Sequence, residues 1–159
     1  MTDPHEALSE HAAYERGATG HELTTTPFEA VVEVEENGET VYHVVVRLPT
    51  LDAVVEGETV AQVVEDGWFE TLERRLEGPE QVTSGLESID SEVRREGDEV
   101  RVELTFSSAT PERAAENAKS LVEFVEGTWV QGIVPGYEYG EPAASLLDRA
   151  TRNYDDGGA

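Results

Sequence analysis

From Phe28 onward the apolar residues fall largely on every second position. Phe28, Ala30, Val32 and Val34 alternate with Glu29, Glu33 and Glu35, the pattern of a strand with one buried face. After Glu36-Asn37-Gly38 the alternation resumes, with Tyr42, Val44, Val46 and Leu48 set between residues such as His43 and Arg47. Even positions are apolar in both runs, so the hairpin must set even against even. A two-residue Asn-Gly loop would mix the faces, whereas a three-residue loop with Gly38 in the left-handed conformation keeps them apart. That register leaves His43 and Arg47 on the outer face with Glu29 and Glu33, within reach of cross-strand charge pairing.

A second hairpin is expected over Ile89 to Ser107. Val100, Val102, Leu104 and Phe106 are even while Ile89 and Val93 are odd, so an even-length loop at Gly97-Asp98 is needed to gather them on one face. The same register sets Arg94 opposite Arg101 and Glu92 opposite Glu103, so charge pairing there has to be diagonal.

Between and around the hairpins the period lengthens. Asp3-Pro4-His5-Glu6 reads as a helix opening, with Asp3 as cap, Pro4 at the first position and Glu6 completing a capping box. The helix is expected to run to about Arg16, before Gly17, with a thin apolar face of Leu8, Ala12 and Tyr14. Residues 17–26, rich in Thr and Gly, read as a linker. A short strand is expected around Ala53 to Val55. A helix then starts near Thr59, its cap, and runs to Glu77, where Gly78-Pro79 stops it; Val60, Val64, Trp68, Leu72 and Leu76 form its stripe. Asp66-Gly67 interrupts that stripe and should weaken or bend it. Thr110-Pro111-Glu112 opens the clearest helix, with Ala118, Leu121, Val122 and Val125 on its buried face. Pro142 to about Tyr154 makes a last helix.

These elements predict a two-layer α+β fold, an antiparallel sheet of four or five strands from two hairpins with helices packed on one face. Residues 1–26 are an N-terminal helix and linker, 27–154 a single α+β domain and 155–159 a disordered tail. Hairpin then helix occurs twice, without a residue-level repeat. The order helix, two or three strands, helix, two strands, helix is similar to that of the type III secretion chaperone-like fold; fold alone sets no function.

Charge changes the picture more than composition does. The chain holds 35 Asp and Glu against 11 Lys and Arg, a formal net charge of -24. Lys119 is its sole lysine. At low salt such a surface repels itself, and in molar salt the Debye length falls to about 3 Å and the repulsion fades. Together with the absence of cysteine, this resembles the proteins of cells that hold molar salt, and implies a halophilic, cytoplasmic protein needing KCl for stability. Disulfides and thiolate metal sites are excluded. No apolar run is long enough to span a membrane, and Met-Thr-Asp-Pro-His-Glu does not read as the charged-then-apolar layout expected of a signal peptide. Nucleic acid is disfavoured as a partner, because the arginines form only scattered pairs such as Arg74-Arg75.

The search for chemistry is mostly exclusion. His11 and Glu15 share the expected helix face, and His5 and Glu6 lie nearby, yet the spacing of a zinc-protease helix is missing, so no metal site is assigned. With so many acids, neighbouring carboxylates identify no catalytic dyad. Ser84, Ser107 and Ser108 lack a nucleophile elbow. The glycines at 127, 132, 136 and 140 follow a helix and make no phosphate or dinucleotide loop. No catalytic residue and no cofactor is assigned.

What remains is Gly127 to Gly140, where Trp129, Ile133, Tyr137 and Tyr139 gather aromatic and apolar area among glycines. It either closes the core or meets a protein partner, a ligand or a second copy of the chain. Trp68 and His43 are the further candidates. A non-enzymatic interaction or adaptor module is the first reading. The alternative is a ligand-binding protein or enzyme with a pocket between the sheet and the C-terminal segment, using His43 or Tyr137. The runs Leu48-Pro49-Thr50-Leu51-Asp52-Ala53-Val54-Val55-Glu56-Gly57-Glu58, Gly67-Trp68-Phe69-Glu70-Thr71 and Pro135-Gly136-Tyr137 resemble a small acidic haloarchaeal family of unknown function. That resemblance implies source and architecture, and no site.

Overall fold

A computed structural model describes residues 3–17, 20–83 and 88–149. Its elements are α1 (Pro4–Glu10), β1 (Tyr14–Arg16), β2 (His21–Leu23), β3 (Glu29–Asn37), β4 (Glu39–Pro49), α2 (Leu51–Val54), α3 (Gln62–Arg75), a 3-10 turn (Pro79–Val82), β5 (Asp90–Glu96), β6 (Glu99–Ser107) and α4 (Pro111–Gln131). A last helix, α5, covers 143–149. The strands form one antiparallel sheet in the order β1-β2-β3-β4-β6-β5.

Both hairpin registers match the burial argument. Val32 faces Val44 and Ala30 faces Val46 around Gly38, whose φ of 85° is the left-handed turn expected there. Val93 faces Val102 across Gly97-Asp98, with Arg94 opposite Arg101 and Glu92 opposite Glu103. The diagonal pairing follows, since Arg94 reaches Glu103 at 3.2 Å. On the same outer face His43 meets Glu35 at 3.0 Å, and Arg47 lies 3.9 Å from Glu29 and 3.7 Å from Glu99.

The inner face is the core. Val32, Val44, Val46, Val100 and Val102 are wholly enclosed, and α4 covers them with Ala114, Ala118, Leu121, Val122, Val125 and Trp129. Each enclosed Val or Leu among them contributes roughly 1.5–3 kcal/mol on burial. The Tyr14 hydroxyl donates to the Ala115 carbonyl at 2.7 Å, tying β1 to α4.

The sheet has six strands, not four or five, because two short ones lie within 14–23. The first helix stops at Glu10, where the backbone of His11 turns extended, and Tyr14 and Leu23 then pair with their side chains buried. The stretch read as a linker therefore carries β2. The strand expected at 53–55 is instead the helical turn α2, since Thr50 caps it by accepting from Ala53 N at 3.3 Å. Val55 alone bridges to Tyr139, with Glu56 N donating to Glu138 O and Gly140 N to Val54 O. α3 begins at Gln62 rather than near Thr59, because Val60 is tied down by its N–H to Asp52 Oδ1 at 2.8 Å and its side chain is buried. It ends at Arg75 and runs unbroken through Gly67. These changes make the observed order longer than the one similar to the chaperone-like fold. The tail expected at 155–159, and the last helix beyond 149, lie outside the described residues.

Candidate functional site

The six residues singled out from the sequence do not converge on one surface. α4 continues through Gly127 to Gln131, which carries Trp129 inward; its side chain is fully enclosed, crosses Phe28 edge to face at 5.1 Å and donates Nε1–H to Pro49 O at 3.1 Å. Trp129 is thus a core residue. Trp68 is buried on α3 as well, its Nε1 without a hydrogen-bond partner among the described residues. Ile133, Tyr137 and Tyr139 are half-buried and pack against the core, and the Tyr139 hydroxyl donates to Val134 O. Beyond Gln131 the segment is therefore a clasp joining the end of α4 to residues 54–56. His43 stands apart on the outer face of the sheet, between Glu35 and Thr105.

Between the sheet and the C-terminal segment lies a cleft of about 380 Å³ bordered by Phe28, Arg47, Pro49 and Pro142, with neither His43 nor Tyr137 on its wall. The histidines of α1 also part ways. His11 pairs with Glu116 of α4, and His5 turns to His21, whose Nε2 lies 3.3 Å from its Nδ1. Among the described residues no three metal-binding side chains converge.

Titratable groups do converge where β4 meets α2, α3 and the Gly97-Asp98 turn. There a cleft of about 260 Å³ is bordered by Thr50, Asp52, Gln62, Glu65, Arg95 and Asp98 among others. Its position follows from chain geometry. Thr50 ends β4 and caps α2; the Asp52 N–H, free in the first turn of α2, donates to Glu65 Oε2 at 3.0 Å. Glu65 enters from the first turn of α3 and is 8% exposed. Burial raises its carboxyl above the ordinary 4.5, opposed by the Asp52 hydrogen bond and the charge of Arg95.

Arg95 comes from β5. It is two residues from Val93 on an alternating strand, so it points inward where Arg94 points out. Its guanidinium lies 4.9 Å from the Phe69 ring centre and bonds Asp66 at 2.8 Å, a bond that holds the Asp66 carboxyl below its usual value. Sequence reading assigned none of the charged residues of this cleft to a site. One signal was available, the inward parity of Arg95; nothing marks Asp52, Glu65 or Asp98 among 35 acids.

The pattern of one family runs through all of these elements, matching residues 9–149. The chain belongs to DUF5813, a family of unknown function. No curated protein and no solved structure matches it. In this DUF5813 chain the match reaches from the end of α1 to α5, so both hairpins, the junction cleft and the clasp fall inside it. Among its described residues no helix is long and apolar enough to cross a membrane.

Proposed function

We propose that this DUF5813 chain is a non-enzymatic interaction module of a high-salt cytoplasm, of haloarchaeal type, and that it docks a protein partner on the outer face of its sheet. One observation carries the reading. The helices lie on the inner face, while on the outer face Val31 pairs with Val45, and both stay half-buried together with Val41. Glu29, Glu33, Glu35, Asp90, Glu92 and Glu103 surround them, more charge than Arg47, Arg94 and Arg101 neutralise. An apolar strip with an acidic rim fits a partner segment of alternating apolar and basic residues and repels a second copy of itself. The β5 edge of the sheet is a poor alternative, because β5 is mostly charged and exposed.

The test uses a peptide of alternating Lys and Val as partner mimic, titrated calorimetrically into the full chain at low and molar KCl. Saturable binding that Val31→Thr with Val45→Thr weakens at least about tenfold, a change of about 1.4 kcal/mol, supports the reading. Binding indifferent to those substitutions is charge attraction alone and overturns it. A dimeric mass by light scattering in molar KCl, dissolved by the same pair, would give the face to a second copy instead.

A further inference from the structure

The junction cleft lies on the other side of the sheet from the docking face, and its chemistry is different. Its walls carry both signs of charge. On one wall is the guanidinium of Arg95, and beside it α3 begins at Gln62 with no side-chain cap, so the first backbone N–H groups of that helix present a positive end. Three acidic residues, Glu65, Asp52 and Asp98, also border it.

We propose that this cleft binds a small zwitterion of amino-acid size, its carboxylate received by Arg95 and the start of α3 and its ammonium group by Asp98 and Glu65. A ligand of one sign fits poorly. A plain anion would meet three carboxylates, and a plain cation would meet a guanidinium and a helix N-terminus. A bare metal ion fits no better, since the described residues bring no three ligating side chains to one point. A volume of about 260 Å³ equals that of roughly nine liquid waters at about 30 Å³ each, room for a molecule of this class.

The walls are also set in advance, which limits the ordering cost of binding. Arg95 is held by the Phe69 ring and Asp66, with N–H groups beyond the one given to Asp66. Glu65 is oriented by the Asp52 N–H, which it accepts at 3.0 Å. Asp98 sits on the turn whose backbone carbonyl accepts from Thr50 N at 2.9 Å, which pins the turn to the end of β4.

The experiment is a titration of the full chain in molar KCl, followed by the backbone amide resonances of residues 59–65. Glycine and 4-aminobutyrate serve as zwitterions, acetate and methylammonium as single-charge controls. Expected are saturable shifts with at least one zwitterion, about tenfold or more tighter than with either control, and weakened about tenfold or more by Asp98→Asn and by Arg95→Gln. Asp98 is an exposed turn residue, so Asp98→Asn keeps the test valid if Arg95→Gln disturbs the fold. The proposal is overturned if neither zwitterion gives a saturable shift, if a single-charge control binds as tightly, or if Asp98→Asn leaves zwitterion binding unchanged. None of these outcomes depends on docking at the outer face.

Discussion

Nδ1 of His5 lies 3.3 Å from Nε2 of His21, so α1 is fastened to β2 through two imidazoles. One ring must donate and the other accept, which needs at least one neutral ring. His21 is the enclosed member, and its Nδ1 has no partner among the described residues. Burial first, then the charges of His5 and Arg16, hold its pKa below the ordinary 6.5. His5 on α1 and Arg16 on β1 are thus the ionisable groups that act on it, and its neighbour on β3 is Val32.

The sign of the pH effect follows. Above pH 6.5 His21 is neutral both folded and unfolded, and it adds no slope. As pH falls below 6.5 the unfolded chain takes up a proton that the fold refuses, so stability drops until the lowered folded value is passed. One proton limits that slope to about 1.4 kcal/mol per pH unit. Denaturant melts in molar KCl between about pH 5 and 8 should show the fall, and His21→Phe should flatten it. An unchanged slope in His21→Phe would remove the pair from the account.

Glu65 behaves in the opposite sense. Its folded pKa is raised above 4.5, so any stability it lends is fully present below 4.5 and is lost as pH rises through the folded value. At neutral pH its charge is a burden while its oxygen is an asset. Glu65→Gln keeps an acceptor for Asp52 N–H and should be neutral or stabilising at pH 7. Glu65→Ala leaves that N–H unpaired and should cost about 1–3 kcal/mol, before any packing loss. Urea titration of both variants checks this, and equal losses would contradict it.

The alternation around Gly38 and Gly97 was enough to derive both hairpin registers, down to Arg94 facing Arg101, because a buried face makes a one-residue slip expensive. The buried stripe of α4 was equally plain. Gly127 hid the last turn of that helix: its helix cost of about 1 kcal/mol is outweighed by enclosing Trp129, a tertiary gain that local pattern does not register. Strands of three residues such as Tyr14–Arg16 are too short to show a period. The junction cleft was illegible for another reason. Glu65 differs from the other acids only in being covered, and what covers it comes from β4, α2 and β5, separate stretches of sequence.

The two tryptophans should respond differently to the same substitution. Trp129 is enclosed and its Nε1–H serves Pro49 O, so Trp129→Phe loses a hydrogen bond of about 1 kcal/mol as well as ring volume. Trp68 is nearly as buried, but its Nε1–H is unpartnered among the described residues, so Trp68→Phe removes an unsatisfied donor and offsets part of the packing loss. Trp129→Phe should therefore be the more destabilising by about 1 kcal/mol or more, and Trp129→Ala should cost about 3–5 kcal/mol. Denaturant midpoints in molar KCl decide; a reversed order would mean that the indole bond to Pro49 adds no net stability.

The last expectation concerns salt. The net charge of -24 is spread over a surface on which several cations are already paired: Arg47 lies between Glu29 and Glu99, Arg94 among Glu92, Glu96 and Glu103, and Lys119 beside Glu123. Each of these exposed pairs is worth about 0–1 kcal/mol at most, and molar salt weakens it further. The unpaired carboxylates act the other way, since their mutual repulsion is long-ranged in dilute buffer and is screened within about 3 Å at 1 M. Repulsion involves many more groups than the pairs do, so the net effect of KCl should be stabilising. The melting temperature should rise by several degrees or more from dilute buffer to molar KCl, a change of at least about 2–4 °C for each kcal/mol gained. Choline chloride at equal ionic strength should reproduce most of the rise if screening is the cause. Equal melting temperatures in dilute and molar KCl would contradict the high-salt assignment and leave the acidic surface without a role in stability.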